Sequence, residues 1–331
     1  MLTLSLENRQ PIIRTPIIPR NKADPTQSSR PVNKMARDIR HRYYQIKLDI
    51  KAALDRHLIG IESVHNGSSE YALHGETIYQ VNAGTYIYDM SASQLASLLQ
   101  IVQTILDDHL LDGGSGNLWA LDYVSAEYDR GTLAAFTNLS TQSPIYASQT
   151  SLASLLSSPA YQNQVAAAYV STYSDWKGIS DKARADVANV IADAIGRGIN
   201  PRETAVIISK RLDVSQASAE NIAQTEQVGA LRKAQWLEAD WARERLGLNT
   251  ALLWLSALKP TTRAWHASRH GKTYTTAEVE AFYAEKGNRY RCYCSQIPVV
   301  LGNDGKIVNL GLIGRLESER KQWQRVSGNN V

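Results

Sequence analysis

The stretch from residue 180 to 246 constrains the fold more than any other part of the chain. Val187, Val190, Ile191, Ala194 and Ile195 recur at three- and four-residue spacings and trace one face of a helix. Gly196 and Gly198 stop that helix, because glycine adopts helix-ending conformations without a Cβ penalty. Asn200-Pro201 starts the next one. The Asn side chain caps free N–H groups, Pro occupies the first position where no donor is needed, and Glu203 follows three residues after the cap. Ser215 reads as a further cap. Beyond it Ala219, Ile222, Ala223, Ala230, Ala234, Leu237 and Trp241 mark one side of a long helix. Helices dominate the middle of this chain.

The flanking segments fill in a mainly α fold with a smaller α+β C-terminal domain and an extended N-terminal arm. Residues 1–33 hold five of the ten prolines, and Pro11-Ile-Ile-Arg-Thr-Pro-Ile-Ile-Pro19 excludes helix because proline lacks a donor and restricts its predecessor. Residues 34–179 form an expected helical N-terminal domain, opened by Met35, Ile39, Tyr43, Ile46 and Ile50 at helical spacing. Within it, Thr77–Val81 and Thr85–Tyr88 alternate around Asn82-Ala-Gly84, which predicts a β-hairpin near 77–88. Ser91 caps a helix through Leu95, Leu98, Leu99, Val102 and Leu106, and another helix is expected over 118–135. Residues 137–160, rich in Ser, Thr and small residues, read as a loose connection with one short helix. Residues 180–248 form the helical central domain. Residues 249–312 read as a small α+β domain, with Ile297–Leu301 and Ile307–Leu312 paired around Asn303-Asp-Gly305. Residues 313–331 are a basic tail with a short helix.

Charge is distributed unevenly over the 331 residues. Residues 1–42 carry nine Lys/Arg against three Asp/Glu, residues 43–256 carry 15 against 23, and residues 257–331 carry 12 against six. Two basic ends thus flank an acidic middle, and basic ends meet nucleic acid, meet acidic protein surfaces, or simply keep a chain soluble. The phosphate-contact candidates are Arg37 and Arg40 beside Tyr43 and Tyr44, and Arg315, Arg320, Lys321 and Arg325 in the tail. On the arm, Ile12, Ile13, Ile17 and Ile18 with Arg14 and Arg20 suit docking against a partner, whereas a purely solvated tail has little use for four isoleucines. Sixteen Tyr and seven Trp against two Phe favour half-wet contacts. No apolar run approaches a membrane span and no signal peptide is legible at the start. Two Cys exclude a disulfide framework, so a cytoplasmic setting is expected.

Four features occur in order over residues 180–300. They are the helix–Gly turn–helix Ile191-Ala-Asp-Ala-Ile-Gly-Arg-Gly198 with Pro201-Arg-Glu-Thr, then Asn221-Ile-Ala-Gln-Thr-Glu226 opening the long helix. Trp254 follows, with Thr262-Arg-Ala-Trp-His-Ala-Ser-Arg-His-Gly-Lys272, and then Arg291-Cys-Tyr-Cys294 before an apolar strand. Together they resemble the phage head morphogenesis family, the Mu F-like minor head proteins. Leu121-Asp-Tyr-Val-Ser-Ala-Glu-Tyr-Asp-Arg-Gly131 extends the likeness upstream. The chain departs from the family pattern at Gln224, where Arg is usual, at Lys259, where Asp is common, and at Tyr293 between the cysteines. The resemblance implies a structural minor capsid protein of a tailed bacteriophage, present in the virion head and in the host cytoplasm during assembly. It implies docking on the portal protein at the portal vertex, contact with major capsid or scaffold protein and packaged DNA, and a part in head morphogenesis and genome packaging or retention. A DNA-binding protein packaged in the head and ejected with the genome is the alternative.

Two constellations carry chemistry. Glu226 shares a helical side with Ile222, Ala230 and Leu237, and a carboxylate there needs a partner. A structural clamp to Arg263 is the expectation, with a catalytic acid as the other reading. His266 and His270 are four apart, hence on one side of a helical turn, and Cys292 and Cys294 are two apart, hence on one face of a strand. Two nitrogens and two sulfurs suit tetrahedral zinc, and packing of ordinary His and Cys around a Gly turn is the competing reading. Relatives with Cys at the place of His266 are implied by the resemblance and favour the metal. No Walker loop, Gly-x-Ser-x-Gly or His-Glu-x-x-His is present, so no catalytic residue and no enzymatic role are expected.

Overall fold

A computed structural model describes residues 15–62, 70–74, 77–81, 86–285, 287–307 and 309–327. In chain order the elements begin with α1 (Ser29–His57), β1 (Gly60–Glu62), β2 (Glu70–His74), β3 (Thr77–Val81) and β4 (Tyr86–Tyr88). Next are α2 (Ala92–Leu110), α3 (Leu121–Gln142), α4 (Pro144–Gln149), α5 (Leu152–Leu156), α6 (Pro159–Arg197) and α7 (Pro201–Leu246). Last are β5 (Thr250–Leu255), α8 (Ala264–Ala267), β6 (Thr273–Tyr274), α9 (Thr276–Ala284), β7 (Ser295–Val300) and α10 (Leu310–Ser327). The protein is mainly helical, with a small sheet region near its C-terminus. The described residues fall into two compact units interleaved in sequence. One takes those of Met1–Asn33, Asp122–Ala168 and Ala223–Val331; the other takes those of Lys34–Leu121 and Tyr169–Ile222.

The second unit is helical, with two short strand pairs. The apolar face read from α1 is its core: Met35, Ile39, Tyr43, Ile46 and Ile50 are all buried. Helix α2 is capped by Ser91 and Gln94 in a reciprocal capping box, and buries Leu98, Val102, Leu106 and Leu110 at a four-residue period. Val187, Ile191 and Ala194 of α6 are buried as their spacing predicts. Gly198 sits at φ +61°, where the chain leaves α6, and Asn200 Oδ1 accepts the Arg202 N–H (2.8 Å) at the start of α7. Trp119 meets Trp176 edge-on (4.8 Å between centroids) beneath the Arg42 guanidinium (4.1 Å).

Two expectations for this unit are corrected. The strands near 77–88 form, but β3 pairs with β2 and β4 with β1, both antiparallel, instead of with each other. The proposed turn at 82–84 lies outside the described residues. Ser215 does not start a helix. Helix α7 runs unbroken through it, since no Gly or Pro lies between Arg202 and Val228, and the Ser215 hydroxyl pairs with the Tyr43 hydroxyl instead (2.7 Å).

The first unit carries the sheet. Its order is β6-β5-β7, all antiparallel, with Leu252 opposite Pro298 and Trp254 opposite Gln296. Alternate residues of a strand face opposite sides, and here both sides are covered. Leu252 and Trp254 pack with Trp236, Ala239, Val279, Phe282 and Tyr283 of α7 and α9. Leu253 and Leu255 pack with Ile297 and Val299 and with Leu312 and Leu316 of α10. The outer edge of β7 is closed by one buried side chain: the Gln142 amide donates to the Pro298 carbonyl (3.1 Å) and accepts the Val300 N–H (3.0 Å). An edge strand left bare would be a template for unwanted pairing.

Residues 15–28 lie on this same unit. Ile17 N–H donates to Asn138 (2.9 Å), Ile18 packs against the Leu253–Leu316 cluster, and Lys22 pairs with Glu319 (2.9 Å). Arg130 donates to the Thr26 carbonyl (2.9 Å) and pairs with Glu127, whose other partner is Ser28. At the C-terminal end the turn at 303–305 forms, but the expected second strand reduces to a single bridge between Leu301 and Ile307. The reason is Asn309, which accepts the Leu312 N–H (3.1 Å) and begins α10.

Helices α3 and α7 approach closely within this unit at Gly131, where an added Cβ would stand 2.4 Å from the Leu231 carbonyl oxygen. An exposed Gly→Ala change in a helix gains about 1 kcal/mol. Here the backbone clash reverses the sign. Gly131→Ala is expected to destabilise the protein by about 1–3 kcal/mol in urea unfolding, and a stabilised variant would contradict this packing.

Candidate functional site

The chemistry expected at the Arg/His/Gly block and the Cys pair converges on one side of the sheet. The block leaves β5, turns through α8 and returns as β6. Gly271, at φ +80°, makes the return: its N–H donates to the Trp254 carbonyl (2.9 Å), and Trp254 N–H donates to the Lys272 carbonyl (2.9 Å). The loop between α9 and β7 is held over this turn. Arg263 donates to the carbonyls of Asn288 (3.1 Å) and Tyr290 (2.9 Å), and the Trp265 indole donates to Asn288 Oδ1 (2.9 Å). Asn288 is itself buried and donates to the Phe282 carbonyl (2.8 Å). These bonds deliver Cys292 and Cys294 to the face of His266.

All three side chains are buried, and both cysteines are free thiols. His266 Nδ1 lies 3.4 Å from Cys292 Sγ and 3.7 Å from Cys294 Sγ. The three ligand atoms fall within 4.8 Å of one another. Phe282 packs edge-on to the His266 ring (4.8 Å), and Arg263 Nη1 approaches its Nε2 (3.3 Å).

Beneath them lies Arg232, a residue the sequence did not single out. It is 2% exposed, yet carries a guanidinium. Its Nε donates to the Cys294 carbonyl (2.7 Å), and its Nη2 donates to the Cys292 carbonyl (2.9 Å) and to Cys292 Sγ (3.2 Å). The group also lies over the Tyr283 ring (4.4 Å), which is stacked on Trp254 (5.4 Å) and Trp236 (5.9 Å). Burial pushes the Cys292 thiol up, but the Cys294 thiol, the Arg232 charge and His266 outweigh it and hold Cys292 well below the usual thiol range. Its neighbour moves the other way: the hydrogen bond to Cys292, burial and the adjacent negative charge push Cys294 up.

The fourth expected ligand goes elsewhere. Helix α8 ends at Ala267, so the four-residue spacing no longer keeps His270 on the His266 side. His270 Nδ1 accepts the Ser256 N–H (3.0 Å), and its Nε2 faces Glu319 of α10 (3.4 Å). The bonds described for Arg263 run to backbone carbonyls and His266, and Arg232, six residues after the half-buried Glu226, ties α7 to the Cys292–Cys294 segment.

The remaining candidates are dispersed. Ile12, Ile13 and Arg14 lie outside the described residues. Ile18 packs into its own chain, whereas Ile17 and Arg20 are exposed, and Ile17 lines an open groove of about 840 Å³ with Leu133 and Arg130. Arg37 is exposed, and Arg40 makes a two-point bond with Glu220 (2.9 Å for each contact). On α10, Arg315 approaches Glu319 (3.7 Å) and Arg320 donates to the His270 carbonyl (2.8 Å), while Lys321 and Arg325 are exposed. Half of the proposed phosphate-binding cations are therefore engaged inside the molecule.

With this geometry in place, the comparisons give a family. Residues 185–297 match the family model described as phage Mu protein F like protein, so the likeness is one of this segment. The match runs from α6 through β7 and contains every residue of the His/Cys/Arg cluster. The match supports a relation of this segment to phage head proteins. Neither the search of curated proteins nor that of solved structures gave a match.

His270 gives this region a pH dependence. The Ser256 N–H fixes Nδ1 as an acceptor, so the ring proton sits on Nε2 and a second proton has no room. Burial dominates and lowers the pKa to about 4; Glu319 opposes it, while Arg320 and Lys22 reinforce it. Between pH 6.5 and about 4 the unfolded chain binds a proton that the folded chain refuses, so stability is complete above 6.5 and falls as pH drops. The expected slope is up to roughly 1.4 kcal/mol per pH unit in that window. Urea unfolding at pH 7 and pH 5 should show this loss in the native protein and a flatter profile in His270→Gln. Identical pH profiles would remove His270 from the account.

Proposed function

We propose that this chain is a minor head, or minor capsid, protein of a tailed bacteriophage. It docks on the portal protein at the portal vertex and supports head morphogenesis and genome packaging or retention. The observation that carries the reading is the family match across the His/Cys/Arg cluster. The cluster's chemistry agrees with it: His266, Cys292, Cys294 and Arg232 are buried and spend their polar atoms on one another and on backbone carbonyls, an arrangement suited to holding a loop. Contacts with major capsid or scaffold protein and with packaged DNA belong to the same proposal.

The arm supplies the anchor. Residues 15–28 are bound to the first unit, so the test is directed at residues 1–14 together with the exposed Ile17. Removing residues 1–33 would also strip Ile18 and Ser28 from their packing, so a shorter deletion is the cleaner test. Co-expression with the portal protein, followed by light scattering, should give a defined complex. Deleting residues 1–14 with Ile17→Asp should weaken it at least tenfold while leaving the unfolding transition in place. If the intact chain fails to associate with the portal at low salt and instead binds DNA with an affinity that falls steeply with salt, the protein is the DNA-binding component packaged and ejected with the genome.

A further inference from the structure

Three donors in this structure have the chemistry and the spacing of a metal site. An imidazole nitrogen and two sulfurs form a borderline-soft set, the preference of zinc and not of magnesium or calcium. With Zn–S of about 2.3 Å and Zn–N of about 2.0 Å, a tetrahedron sets its N and S ligands roughly 3.5 Å apart. The separations of 3.4 and 3.7 Å from His266 Nδ1 to the two sulfurs bracket that edge. The donors come from two segments that share no strand or helix, the α8 turn and the loop before β7, and both are buried.

We infer that His266 Nδ1, Cys292 Sγ and Cys294 Sγ bind one zinc-class ion that staples the loop before β7 to the α8 turn. The site goes beyond the assembly role and stands whether or not the portal reading holds. It also differs from the four-ligand set expected from the sequence, because His270 belongs to the α10 contact. Among the described residues no other His, Cys, Asp or Glu joins the three, so the fourth position falls to water or a small anion. The surroundings fit an occupied site. Two thiolates balance the ion's charge, and the Arg232 N–H already directed at Cys292 Sγ is the bond that orients a metal thiolate. Metal on Nδ1 requires the ring proton on Nε2, and Arg263 Nη1 then gives its hydrogen wholly to the Asn288 carbonyl, which it already reaches at 3.1 Å.

The test uses the full chain, purified without a histidine tag from zinc-supplemented cells. Elemental analysis should find about one zinc per chain, Cys292→Ser should lose it, and His270→Gln should keep it. Because Cys292→Ser also removes a partner of Arg232, a second measurement uses the native chain. Exchange of zinc for cobalt(II) should give the intense d–d bands of tetrahedral cobalt with sulfur-to-cobalt charge transfer, and a strong chelator should lower the melting temperature. A native-like chain that carries no zinc, shows no cobalt–sulfur band and melts at the same temperature with and without chelator would overturn the site. The cluster would then be a hydrogen-bonded thiolate–imidazole–guanidinium network only.

Discussion

The first unit depends on how it keeps one buried positive charge. A guanidinium removed from water needs an anion or a full set of acceptors, since burying it unpaired costs several kcal/mol. Arg232 of α7 finds its acceptors in the Cys292–Cys294 segment: two carbonyls and the Cys292 sulfur on one side, and the Tyr283 ring on another. No carboxylate takes part in the bonds described for it. The guanidinium beside Cys292 Sγ helps to hold that thiol low, while the hydrogen bond to Cys292 and burial push Cys294 up. Helix, sheet and loop are fixed together by one side chain, and any element that moves leaves the charge exposed.

The sheet serves that arrangement. β5 is covered on both faces, so its sequence Thr250-Ala-Leu-Leu-Trp-Leu255 reads as an apolar run without clear alternation. One face takes α7 and α9 with the aromatic stack of Trp236, Tyr283 and Trp254; the other takes α10 and the chain before α1. Gly271 permits the close turn next to Leu316, and Gln142 satisfies the edge of β7 in place of another strand. Residues 15–28 are part of this construction, not an appendage to it.

The legible features were those set by local rules. Helical spacing in α1, α2, α6 and α7, the Ser91 cap, the Gly198 turn and the Asn303-Asp-Gly305 turn follow from side-chain periodicity and backbone freedom, and they formed as read. What depended on long-range packing was hidden. The partners of β3 and β4 were misassigned because adjacency in sequence favoured a hairpin, whereas β1 and β2 supplied the pairing. The site was half legible. Cys292, Cys294 and His266 came together from spacing alone, but His270 was assigned by assuming that the helical turn continued past Ala267. Arg232 carried no local signal, being one basic residue among many on a long helix. Its distance of about a turn and a half from Glu226 is the closest the sequence came to it.

The central claim is that Arg232 holds the cluster together, and Arg232→Met tests it most directly. Met keeps much of the bulk but removes the charge and its hydrogen bonds, leaving two carbonyls and the Cys292 sulfur buried without their partner. Urea unfolding followed by the fluorescence of Trp236 and Trp254, which lie in the same core, reports on this region. The account predicts a loss of about 3–5 kcal/mol, the cost of breaking a buried charged pair on one side. A variant within about 1 kcal/mol of the native protein, the level of a lost surface ion pair, would contradict it.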